Sequence, residues 1–91
     1  MIDYESLMER AKSKKVGSSC FAILLHIWAI GQHEGKYPIQ ISINKVLKYY
    51  PRVSPHTLCK KLSYFERKSI LICSQKPNVF DFDAITEVRF L

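Results

Sequence analysis

Seven basic side chains crowd into residues 45–68: Lys45, Lys48, Arg52, Lys60, Lys61, Arg67 and Lys68. Glu66 is the only acid among them, so this stretch carries +6, equal to the net charge of the whole chain. Between the cations stand side chains suited to phosphate oxygens or base edges: Ser54, His56, Thr57 and Tyr64. Charge this concentrated is the footprint of a polyanion partner, and duplex DNA is the first candidate.

Other chemistries find less support. His26, His33 and His56 with Cys20, Cys59 and Cys73 lack the paired short spacings of a structural zinc site. His26, on an apolar stretch, reads as a core or interface histidine. Asp81 and Asp83 are two carboxylates without a third ligand, a poor cation site. No glycine-rich phosphate loop, nucleophile elbow or paired catalytic carboxylates are present, so no enzyme, cofactor, metal or small-molecule ligand is expected. Cys59 beside the basic face is either a redox switch or a buried, inert thiol, and the second reading is preferred.

The elements that must carry the basic residues follow from periodicity and capping. Tyr4, Leu7, Met8 and Ala11 share a helical face, which predicts a helix over 3–15 ending in Lys12, Lys14 and Lys15. Gly17, Ser18 and Ser19 form a break with a capping serine. Residues 20–30 are then apolar nearly all round, and Gly31 or Gly35 ends them. A helix apolar on every side needs cover on every side. Residues 38–41 read as a short extended segment. Ser42 caps a helix with Ile43, Val46, Leu47 and Tyr50 on one face, stopped by Pro51. Ser54-Pro55 starts the next helix, which runs to about Lys68 with Leu58, Leu62 and Phe65 inward. Residues 70–74 and 79–83 read as strands around the turn-rich 75–78, with Asp81 and Asp83 on one strand face. Residues 84–91 suit a last strand or a helical turn equally.

At 91 residues the chain makes one small domain. Such a chain buries only about 60–65% of the surface of its unfolded form, which favours dimerisation. The N-terminal residues lack the apolar region of a secretory signal, and the 20–30 run is shorter than the roughly 20 residues that span a bilayer. Three cysteines without a CxxC pair suit a reducing cytosol. A cytoplasmic protein without membrane association is expected.

The segment 53–71 resembles the winged helix-turn-helix superfamily, including its MarR-like and ArsR-like transcriptional regulators. Their pattern reads V-S-x-x-T-[VL]-x-[RK]-x-L-x-x-L-E-x-K-G-[IL]-[IL]. Ser54, Thr57, Leu58, Lys60, Leu62, Glu66 and Lys68 all fall on it. Phe65 replaces a leucine, and Ser69 stands where glycine is usual. The cysteine-rich signature of metal-sensing ArsR-like repressors is missing.

The resemblance implies an α+β, mainly helical fold, a single winged-helix domain made of a helix-turn-helix and a β-hairpin wing. Its expected parts are an N-terminal amphipathic, basic helix (1–17), the winged-helix core (18–83) and a C-terminal tail at a dimer interface (84–91). The expected function is sequence-specific double-stranded DNA binding by a small, nucleoid-associated transcriptional regulator, a homodimer with its recognition helix in the major groove. His56, Thr57 and Lys60 are the candidates for base edges. Ser54, Pro55, Lys61, Tyr64, Arg67 and Lys68 would flank them, and Lys45, Lys48 and Arg52 would reach the same phosphate ridge. At the wing tip, Lys76 either enters a minor groove or stays with a wing that only packs. Leu7, Phe21, Leu24, Leu25 and Trp28 are the expected dimer contacts. Two other readings stay open: a protein-interaction winged helix (adaptor or antagonist), and a plasmid- or phage-type replication or partition module.

Overall fold

The computed structural model describes residues 2–91. Its first helix, α1 (Tyr4–Ser13), starts where the Asp3 carboxylate accepts a hydrogen bond from the Ser6 N–H at 2.8 Å. That backbone bond, with the Ser6 hydroxyl, holds the Asp3 carboxyl below its ordinary value. Leu7 and Ala11, four apart, are the residues α1 buries. The helix ends in a Schellman turn: Val16 N–H reaches back to Ala11 O at 3.0 Å, with Lys15 at φ 57°.

Helix α2 (Ser18–Glu34) begins differently from the sequence expectation. Gly17 is its N-cap, extended at φ −66°, ψ 156°, with no side chain to cap the first turn. The turn after α1 leaves Gly17 as the last non-helical residue, so Ser18 and Ser19 both lie inside the helix. At the far end Gly35 takes the left-handed conformation, φ 64°, and its N–H closes on Gly31 O. Here glycine meets a backbone need that a side chain would oppose.

The cover for this apolar helix comes from the chain itself. Trp28 donates its indole N–H to Ile2 O at 2.8 Å, and the Tyr4 ring tilts onto it at 5.9 Å. Leu7 and Leu24 are both 0% exposed within the monomer's own core. They cannot reach a second copy of this fold, which corrects their assignment as dimer contacts. Phe21, Leu25 and Trp28 are half-buried against the same core.

Strand β1 (Ile39–Ile41) leads through Ser42, whose hydroxyl accepts from Lys45 N–H, into the short α3 (Ile43–Leu47). Tyr50 lies beyond the end of α3 and donates its hydroxyl to Ala22 O at 3.1 Å, tying the interhelix turn to α2. Helix α4 (Pro55–Arg67) starts as its sequence predicts. Ser54 Oγ accepts from Thr57 N–H at 3.2 Å, Pro55 occupies the first turn, and Leu58, Leu62 and Phe65 face the core. It ends in a second Schellman turn, with Ile70 N–H on Phe65 O and Ser69 at φ 57°.

Strands β2 (Leu71–Cys73) and β3 (Thr86–Phe90) complete an antiparallel sheet of order β1-β3-β2. Val88 pairs with both Ile39 and Cys73, so β3 is the middle strand. Thr86, Val88 and Phe90 point into the core at period two. Two expectations are corrected here. Residues 79–83 are not a strand, and residues 84–91 are not a free tail: of the two readings open for them the strand is the one formed, since β3 closes the sheet. The expected four-residue hairpin loop is instead the connection 74–85. Asx chemistry explains the first correction: Asn78 Oδ1 takes Phe80 N–H at 2.8 Å and Asp81 Oδ1 takes Asp83 N–H at 3.0 Å. Those side chains offer the backbone turns in place of a ladder. Asp81 and Asp83 therefore share no strand face.

Candidate nucleic-acid interface

Helix α4 presents a polar stripe because its apolar residues are spent on the core at 3.6-residue spacing. His56, Thr57, Lys60, Ser63 and Arg67 are exposed on the opposite side. His56, Lys60, Ser63 and Arg67, with half-buried Cys59 and with Val79 from the 74–85 connection, line an open groove of about 560 Å³. Thr57 stands at its head, its hydroxyl 2.8 Å from that of Ser54, so both are engaged in the cap. Pro55 is half-buried in the first turn.

The lower end of the stripe is ordered by stacking. Lys68 Nζ lies 5.6 Å from the centroid of the Tyr64 ring, which meets Phe65 edge-on. Glu66, the lone acid of the segment, turns inward. Its Oε1 accepts Cys73 N–H at 2.7 Å and so fastens α4 to β2. Burial, with Glu66 beside it, pushes the Cys73 thiol up to about 12. Burial also raises the Cys59 thiol, which keeps it protonated and supports its reading as inert.

Not every predicted cation joins this face. Lys45 is ion-paired with Glu34 at the end of α2, and its hydrogen bond holds the Glu34 carboxyl below its ordinary value. The pair borders a second hollow of about 360 Å³ containing His26, His33 and Tyr49. His26 tilts onto the Tyr49 ring at 4.5 Å and meets the Tyr50 ring edge-on at 5.5 Å. Lys61 is half-buried and turned to α2, with Nζ 3.4 Å from Cys20 Sγ. Lys45 thus has an acid partner at the surface and Lys61 lies against α2, which sets them apart from the unpaired cations of the α4 face. Lys48 and Arg52 stay exposed beside the turn before α4, and Lys76 is exposed in the 74–85 connection.

Among the described residues, Lys45–Glu34 is the one ion pair, so Lys48, Arg52, Lys60 and Arg67 face solvent without an acid partner. That uncompensated charge on a rigid helix is the chemical character of the site. No cluster of three metal-ligating side chains exists among the described residues. Nor is any described helix long and apolar enough to cross a membrane.

The groove's second wall escaped the sequence reading. The 74–85 connection folds back toward α3 and α4 instead of projecting freely. Asn44 N–H donates to Phe82 O at 3.0 Å and Asn44 Nδ2 to Asp83 Oδ1 at 2.8 Å. Phe82 meets His56 edge-on at 6.0 Å. The only local signal was the Asn78, Asp81, Asp83 series, whose turn-forming chemistry competes with a strand assignment. Comparison with known proteins returns no match: no family model fits the chain, and no curated protein or solved structure aligns with it.

Proposed function

We propose that this chain is a winged-helix module that binds double-stranded DNA in a sequence-specific way, acting as a small transcriptional regulator and a homodimer. The order helix, helix, strand, helix, helix, strand, strand and the β1-β3-β2 sheet support the fold reading. The observation that carries the functional one is the exposed α4 face, where Lys60 and Arg67 have no acid partner and sit in one groove with His56.

Helix α4 enters a major groove about 12 Å wide, its N-terminal half nearest the bases. His56, Thr57 and Lys60 read base edges. Arg67 and Lys68 hold the backbone on one side, Lys48 and Arg52 on the other. Each phosphate so neutralised releases counterions and contributes about −0.9 to the slope of log affinity against log salt. Regulation follows from occupancy of the site, with Phe21, Leu25 and the exposed Leu91 as the surfaces left for a second copy.

The test is fluorescence-anisotropy titration against a random-core duplex library across a salt series. Selection of particular duplexes with steep salt dependence supports the reading, and half-site repeats in the selected pool support the dimer. No duplex binding at low salt overturns it, and the basic groove then belongs to an acidic protein partner.

A further inference from the structure

Two phenylalanines two residues apart in the 74–85 connection meet opposite fates. Phe82 is half-buried and locks the connection onto His56. Phe80 is 95% exposed, and Val79 before it is 47% exposed. Both occupy the centre of a β-turn closed by Asp81 N–H on Asn78 O at 3.3 Å. A second turn follows directly, closed by Ala84 N–H on Asp81 O at 3.2 Å. The Asn78 and Asp81 side chains brace these turns, and Asn44 anchors their far end. The aromatic ring is thus held out in water on a braced support, at a standing hydrophobic cost that the fold does nothing to relieve.

We infer that Phe80 is a base-stacking wedge: it inserts at a base step of the duplex that α4 engages and unstacks it. This rests on the DNA reading of the α4 face. Charge selects the occupant, because Val79 forms one wall of the groove whose other side carries Lys60 and Arg67 without acid partners. A polyanion drawn to that groove lies against Val79, the residue next to Phe80 in the same turn. Charge also selects the mode of contact. The loop holds Lys76 against Asp81 and Asp83, a net −1, so its tip cannot follow phosphates. What remains for an exposed aromatic ring beside a phosphate backbone is the π-face of a base.

A wedge recognises weak stacking, so it favours DNA in which unstacking is already partly done. The experiment compares a short mixed-sequence duplex with the same duplex carrying one central T·T mismatch, by anisotropy at low salt. A 2-aminopurine placed beside the mismatch reports unstacking. The wild-type protein should prefer the mismatched duplex by about fivefold and brighten the probe. Phe80→Ala should weaken binding of the mismatched duplex by at least about fivefold and lose the preference and the brightening, while Phe80→Trp keeps both. Equal binding of the two duplexes by wild type, or an undiminished preference in Phe80→Ala, overturns the wedge and leaves the DNA reading standing. No binding to either duplex overturns the DNA reading and the wedge together.

Discussion

Asn44 and Asp83 are joined side chain to side chain across 39 residues of sequence, Nδ2 to Oδ1 at 2.8 Å. With the Asn44 backbone bond to Phe82 O, this fixes the 74–85 connection against the helix pair. Asn44, together with the Phe82 ring on His56, therefore sets where the groove's apolar wall stands.

Asn44→Ala removes the side-chain bond and leaves the backbone one. The loss is expected to be about 0.5–1 kcal/mol, a typical net value for an exposed hydrogen bond. Amide exchange over residues 78–84 should accelerate several-fold while exchange in α2 and β3 stays slow. Unchanged exchange in that window would show that Phe82 alone suffices as the anchor.

Asp81→Asn keeps the oxygen that accepts Asp83 N–H and removes one negative charge beside the groove. DNA affinity should rise about twofold at low salt and converge with wild type at high salt, as screening of an exposed charge requires. Anisotropy titrations at the two salt levels provide the check.

Lys45 and Lys48 look equivalent in sequence but are not in the fold. Lys48→Ala should lower the salt slope of duplex binding by about 1. Lys45→Ala, which breaks the pair with Glu34, should change it by less than half of that. Lys60→Ala should cost about 1–3 kcal/mol in a sequence-dependent manner. Equal slopes for the two α3-side variants would contradict the placement of Lys45.

Ser69 holds a left-handed backbone at φ 57° to finish α4. Ser69→Gly should stabilise the fold by about 0.5–1 kcal/mol, raising Tm by roughly 3–6 °C, because relief of strain outweighs the added freedom of the unfolded chain. Thermal denaturation followed by circular dichroism measures it, and a lower Tm would contradict the argument.

Cys73 ties stability to alkaline pH. Its thiol rises in the fold from an ordinary 9.0 to about 12, so the folded state binds the proton more tightly than the unfolded state. The corresponding stability is complete below the unfolded value and is lost as pH rises from about 9 toward 12. Denaturant midpoints across that range should fall. Iodoacetamide near pH 8 should leave Cys73 unmodified until urea unfolds the chain.

Legibility followed the range of the interactions. Ser42, Ser54-Pro55 and the Leu58, Leu62, Phe65 spacing are local signals, and α3 and α4 begin where they indicate. The third strand was harder, because 79–83 and 86–90 both alternate. What separates them is distant: the Asn44–Asp83 bond and the pairing of Ile39 with Val88. Lys45 shows the same limit at the candidate site. Its spacing matches a basic ridge, while its partner Glu34 lies on another helix. The apolar circumference of α2 signals burial but not by whom, and the chain's own Ile2, Tyr4 and Leu7 supply much of the cover.

The middle position of β3 has a consequence for synthesis. Strands β1 and β2 leave the ribosome before it, and in the fold neither pairs with the other. Until Thr86–Phe90 emerges, both present bare edges, and Ile39, Ile41 and Leu71 lack a lid. Translation that stalls before Thr86 therefore yields a sticky, protease-sensitive product rather than a shortened but working protein. The sheet is complete only once its third strand lies between the first two.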